Sequence, residues 1–170
     1  MRILVTGLAT LHWGRIEYGN IGNYYIAVPL FRKLHEYFPE SEIATTLQLT
    51  DEFCKRENLI KLPLECYYAW RENSLDTKEA LQEMAIAEIY QSTGKLIGTT
   101  RFMEEVMKSD LVMDFSGDMW GDNSSGMGEN RFLVDLLKMR TVQLLNKKNV
   151  MFASSPGPVT EEGTLDFAKL

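Results

Sequence analysis

The chain has 170 residues, is 45% hydrophobic and 25% charged and carries a net charge of −6, the profile of an ordinary soluble protein of single-domain size rather than a disordered or fibrous one. It has no stripe of lysines and arginines, which argues against nucleic acid as the main partner, and no apolar run reaches the roughly eighteen residues needed to span a membrane. Its two cysteines and two histidines show none of the metal-site spacings, and the cysteines make no disulfide framework, so the cysteines read as thiols in a reducing compartment, cytoplasmic by default.

"RILVTGLA" (2–9) is β-branched, apolar and closed by small residues, as a buried parallel strand requires. "ILVTGLATL" after Arg2 is too short and too rich in Gly and Thr for a signal peptide, and no small-residue cleavage site follows. "NYYIAVPLFRKLHEYF" (23–38) has Ile26, Leu30, Leu34 and Phe38 at helical spacing. Pro29 lies too deep for a first-turn proline if Asn23 is the cap, which predicts a kink or a later helix start. "SEIATTLQL" (41–49) is a second strand, and "TDEFCKREN" (50–58) a short helix capped by Thr50 or Asp51. "KLPLECYY" (61–68) reads as a third strand that Pro63 confines to an edge.

Residues 77–109 are helical in two pieces, broken near Gly94 and Gly98. "DLVMDFS" (110–116) is a strand, 129–147 a strong helix, "NVMFASS" (149–155) a last strand, and 160–170 the start of another helix. Strands alternating with helices predict an α/β fold: a Rossmann-like open parallel sheet with helices on both faces, one domain over 1–170.

Ligands of open α/β sheets bind outside the carboxyl ends of the strands, where three loops of unusual chemistry fall. In "HWGRIEYGNIGN", Gly19 and Gly22 let the backbone approach a ligand, while Asn20 and Asn23 can cap the next helix and donate outward. A helix N-terminus there favours an anion, although G-x-G-x-x-G is missing from the turn after the strand. "GDMWGDNSSGMG" combines acceptors (Asp118, Asp122 and Asn123) with the flat face of Trp120 and glycines at 117, 121, 126 and 128. Sugars, with many hydroxyls and apolar C–H faces, ask for that combination. The aspartates spaced by four do not match a calcium loop. The plainer alternative is a solvated loop whose aspartates cap turns. "SSPGPV" sets two prolines about a glycine, a rigid turn after Ser154 and Ser155.

Together the three loops resemble the polysaccharide pyruvyl transferase family. "YGNIGN" (18–23) matches the G-x-x-N-x-G-D type loop that opens the first helix, with Asn23 where aspartate is usual. "SDLVMDFSGD" (109–118) is similar to the strand and glycine-rich turn, with Gly117-Asp118 where two glycines are more common, and Gly157-Pro158 matches the later "GP" turn. The resemblance implies one half of a two-domain architecture like that of glycosyltransferases of the B type, this chain being the N-terminal, acceptor-side half. It implies transfer of the enolpyruvyl group of phosphoenolpyruvate to a sugar as a ketal, with release of phosphate; no cofactor is called for, and no residue is singled out as a metal ligand. A second domain or partner half would supply the arginine and histidine groups for the donor. On this reading Asp118 and Asp122 are the catalytic candidates, since a carboxylate there can orient or deprotonate an acceptor hydroxyl. Asn20, Gly22, Asn23, Gly117, Trp120, Asn123, Gly157 and Pro158 are the substrate-binding candidates. Arg15 is the only arginine or lysine in these loops, with His12 beside it. Two alternatives stand beside this one: the N-terminal domain of a nucleotide-sugar glycosyltransferase, and a carbohydrate- or ligand-binding module without chemistry of its own.

Overall fold

Among the described residues five short strands, β1 (Arg2–Gly7), β2 (Glu42–Thr45), β3 (Ile60–Lys61), β4 (Leu111–Phe115) and β5 (Lys148–Met151), pair in parallel in the order β3-β2-β1-β4-β5. The computed structural model describes residues 1–7, 21–68, 75–115, 120–127, 130–154, 157–160 and 166. Among the described residues five α-helices connect and cover the strands: α1 (Ile21–Tyr37), α2 (Asp51–Arg56), α3 (Leu75–Thr93), α4 (Arg101–Lys108) and α5 (Arg131–Leu144). The fold is α/β and Rossmann-like. Strand order runs outward from β1 to β3 and then reverses to β4 and β5, which puts the topological switch point between β1 and β4.

The reversal sorts the side chains into two cores. Ile3 and Val5 of β1, Ile43 of β2 and Met113 and Phe115 of β4 face α1 and α2, meeting Val28, Phe31, Leu34 and Phe53. The alternate residues, Leu4, Ala44 and Val112, face the other way and pack with Ala80 and Ala87 of α3, Phe102 and Val106 of α4, and Val134 and Val142 of α5. Right-handed crossovers on a sheet whose order reverses place the helices in this way.

Local chemistry accounts for the element ends. Thr50 caps α2 by accepting from the Phe53 N–H at 3.0 Å, and Thr100 caps α4 by accepting from the Met103 N–H. Gly94 ends α3 at φ +70°, a conformation glycine adopts without strain. Gly7 is required outright: at φ +133°, a Cβ there would run into the Phe115 carbonyl, because the ends of β1 and β4 lie side by side.

Some expectations are corrected here. The third strand is only two residues long, and Leu64–Cys66 forms a 3-10 turn instead. The first helix does not start late around Pro29; it runs continuously from Ile21 to Tyr37 with the proline inside. Pro29 is exposed, and the carbonyl it leaves without a helical N–H belongs to Tyr25, whose residue is 70% exposed. The last expected helix, over 160–170, lies almost wholly outside the described residues. No helix of the described residues is long and apolar enough to cross a membrane.

One buried ion pair joins α3 to α5. Lys138 Nζ lies 2.6 Å from Glu83 Oε2, with the two side chains 2% and 0% exposed, and Glu83 also accepts from the Thr100 hydroxyl. Such a pair adds little net stability against a well-packed apolar pair, but removing one partner strands a charge. Lys138→Met is therefore expected to lower unfolding stability by roughly 3–5 kcal/mol, and Glu83→Leu added to it should restore most of that loss. Urea denaturation of the two variants checks both expectations.

Candidate functional site

The carboxyl ends of β1, β4 and β5 share one edge because the sheet is parallel. Each leads into one of the three loops singled out above. The start of α1 follows the first loop: Gly22 is exposed and Asn23 half-buried in its first turn. Asn20, Gly117 and Asp118, like His12, Arg15 and Ser155, lie outside the described residues.

The second and third loops are fastened together. The Gly157 N–H donates to the Trp120 carbonyl at 2.6 Å, and the Asp122 N–H donates to the Pro158 carbonyl at 2.8 Å. Asp122 Oδ2 then accepts from both the backbone N–H and the hydroxyl of Thr160, at 2.8 and 2.6 Å. The approach is so close that a Cβ on Gly121 would stand 2.5 Å from the Pro158 carbonyl oxygen and 2.9 Å from Gly157 backbone atoms. Ser124 closes the turn by donating its N–H and hydroxyl to the Gly121 carbonyl. Asn123, next to it, is exposed. At the end of β5 the Phe152 N–H donates to the Asp114 carbonyl. Ala153 follows at φ +52°, a strained conformation for a residue with a side chain, and the buried hydroxyl of Ser154 has no hydrogen-bond partner among the described residues.

Trp120 does not stand out into this edge. It is 6% exposed, packs edge-to-face on Phe132 at 5.9 Å and donates its Nε1–H to Asp114 Oδ2 at 2.9 Å. The expected open apolar face is thus turned into the core, where the ring supports the loop from beneath.

Below Trp120 lies a cluster that sequence reasoning missed. Asp114 and Asp135 are both fully buried. Tyr67 stands between them and donates its hydroxyl to Asp135 Oδ1 at 2.7 Å, with Asp114 Oδ1 at 3.4 Å. Arg131, 1% exposed, brings Nη2 to 2.8 Å from Asp135 Oδ1. This is an ion pair by distance, although the guanidinium N–H groups miss hydrogen-bond alignment. The guanidinium carbon lies 5.3 and 4.6 Å from the ring centroids of Tyr67 and Tyr68, a cation–π arrangement that partly offsets its burial.

Burial, with Asp114 adding repulsion, raises the Asp135 carboxyl to about 7 against the opposing pull of Arg131. Burial beside the same two carboxylates pushes the Tyr67 phenol well above its usual value, so it stays a donor. Arg131, Asp135 and Lys138 recur at helical spacing in the sequence, a signal that reads as a solvated face. Only the packing of α5 against α3 shows that this face points inward.

Among the described residues no group of His, Cys, Asp or Glu is placed to hold a metal. Compared with protein-family models, curated proteins and solved structures, the chain matches none.

Two outcomes are expected here. Gly121→Ala should detach 157–160 from the loop, seen as new proteolytic cleavage near Pro158 with the sheet amides still protected from exchange. Asp135 binds its proton more tightly folded than unfolded, so its contribution to stability is complete below its ordinary value of 3.8 and is lost as pH rises to about 7. Unfolding free energy measured across that window should fall with pH by at most ~1.4 kcal/mol per pH unit from this group, and Asp135→Asn should remove that component.

Proposed function

We propose that the chain is the acceptor-side domain of a polysaccharide pyruvyl transferase, binding the sugar whose hydroxyls receive the enolpyruvyl group of phosphoenolpyruvate. The observation that carries this reading is the fastening of 120–122 to 157–160 at the carboxyl edge of a Rossmann-like sheet. Two of the three loops that resemble the family are thereby neighbours in space, beside the switch point where such sheets take ligands.

Forming a ketal from an enol ether needs a proton delivered to the double-bond carbon and a base for the sugar hydroxyls. Asp122 already holds Thr160 through Oδ2, so its part is to shape the edge, and contact with the acceptor hydroxyl falls to Asp118. Asn123, Gly22 and Asn23 are the exposed or half-exposed polar groups and backbone assigned to the rest of the sugar. The phosphate- and carboxylate-binding cations belong to a second domain or partner half.

The first test is binding. Saturation-transfer NMR with a panel of neutral, amino and acidic monosaccharides should show a sugar bound by the protein. Asp118→Asn should weaken that binding about tenfold, the scale of one lost charge-assisted hydrogen bond, with little change in melting temperature. Phosphate release from phosphoenolpyruvate should then require that sugar. Binding of a nucleotide sugar without any response to phosphoenolpyruvate would replace this reading with that of a glycosyltransferase domain. A large fall in melting temperature with sugar binding unchanged would make Asp118 structural.

A further inference from the structure

Asp114, Tyr67 and Asp135 form a line of three polar groups with a single hydrogen to share between its ends. The phenol has one O–H, and two carboxylates lie within 2.7 and 3.4 Å of it. It now bonds Asp135. Asp114 keeps its hold on the Trp120 indole through its other oxygen, at 2.9 Å.

We propose that this line is a proton-operated switch: when Asp135 takes up a proton, the Tyr67 hydroxyl turns its hydrogen from Asp135 to Asp114, and Trp120 reports and transmits the change to the loop after β4.

The chemistry balances without any other reactant. A proton from solvent forms one O–H bond on Asp135. That carboxylic acid then donates to the Tyr67 oxygen, and the phenol hydrogen, no longer welcome on a protonated neighbour, is free to bond Asp114 Oδ1. Asp114 would then gain the Tyr67 hydroxyl as a full donor beside the indole. Asp114 is the penultimate residue of β4 and holds the Trp120 indole, so the proton state of Asp135 sets how firmly Trp120 is anchored.

The charges facing Asp135 come from each element packed around it. Asp114 on β4 opposes its ionisation, whereas Arg131 and Lys138 on α5 favour it. Glu83 on α3 is engaged with Lys138 and limits its pull. Cys66, next to Tyr67, has its thiol raised to about 11 by burial and stays neutral. These opposing effects leave Asp135 near 7, where a modest change of pH alters its state. Since the cluster is buried, proton exchange proceeds through local opening.

The test follows the Trp120 indole N–H and the Asp135 carboxyl carbon by NMR between pH 5 and 9. The wild-type indole signal should shift with the same midpoint as the Asp135 carboxyl, near 7, and should do so equally in His12→Gln and His35→Gln, which removes histidine as the source. In Tyr67→Phe the carboxyl should still titrate while the indole response is lost; in Asp135→Asn the indole should be flat. An indole that does not move while the Asp135 carboxyl titrates would overturn the switch, as would an indole response that survives in Tyr67→Phe. Should Asp135→Asn fail to fold, the wild type and Tyr67→Phe decide the matter alone.

Discussion

Two carboxylates held where water does not reach are the constraint around which the second core is arranged. Asp114 and Asp135 would repel each other strongly in so dry a place. Their neighbours answer that repulsion from every side: a phenol between them, a guanidinium clamped by two tyrosine rings, and an indole N–H from above. Each partner comes from a different part of the chain, namely the turn after β3, the start of α5 and the loop after β4. The polar groups therefore fix where those parts meet, with a directionality that apolar packing alone lacks. One turn further along α5, Lys138 reaches Glu83 and extends the same logic to α3.

The carboxyl edge inherits its shape from this base. Trp120 lies in the core with its N–H committed to Asp114, so the backbone immediately after it is presented in a fixed place. That backbone then takes Gly157 and Pro158 against it so closely that Gly121 admits no side chain. Asp122 draws in Thr160. Residues 120–122 and 157–160 at the carboxyl edge are in this way continuous with a buried hydrogen-bond system. The proposed sugar-binding role would draw on this fastening, because directional hydroxyl recognition depends on acceptors that are already in position.

Much of the fold was legible in the residues. The β-branched runs at 2–9 and 110–116, the helical spacing through 129–147 and the break near Gly94 each correspond to an observed element. The proximity of the second and third loops was implied by a parallel sheet, but their interlock was not. It rests on bonds between residues far apart in sequence, such as Asp122 with Thr160. Trp120 was legible as unusual and misread in direction, since an aromatic ring among glycines and aspartates looks displayed until its N–H partner is known. The polar cluster was hidden for a related reason. Arg131, Asp135 and Lys138 follow the pattern of an exposed helix face, and only tertiary packing turned that face towards Tyr67 and Glu83. Pro29 shows a different case: of the two expected outcomes the later start does not occur, and the helix continues past the proline with the affected turn facing solvent.

The fastening of residues 157–160 onto 120–122 also bears on the order in which the molecule is made. A ribosome releases β1 to β4 and the loop after β4 before it has synthesised α5, β5 and the Gly157-Pro158 turn. Until that turn emerges, the carbonyl of Trp120 and the N–H of Asp122 have water where their final partners will be. The sheet core can condense early, whereas the edge proposed to meet the sugar gains its definition only once residues 157–160 have been made. A nascent chain would thus carry a nearly complete scaffold before it carries a site.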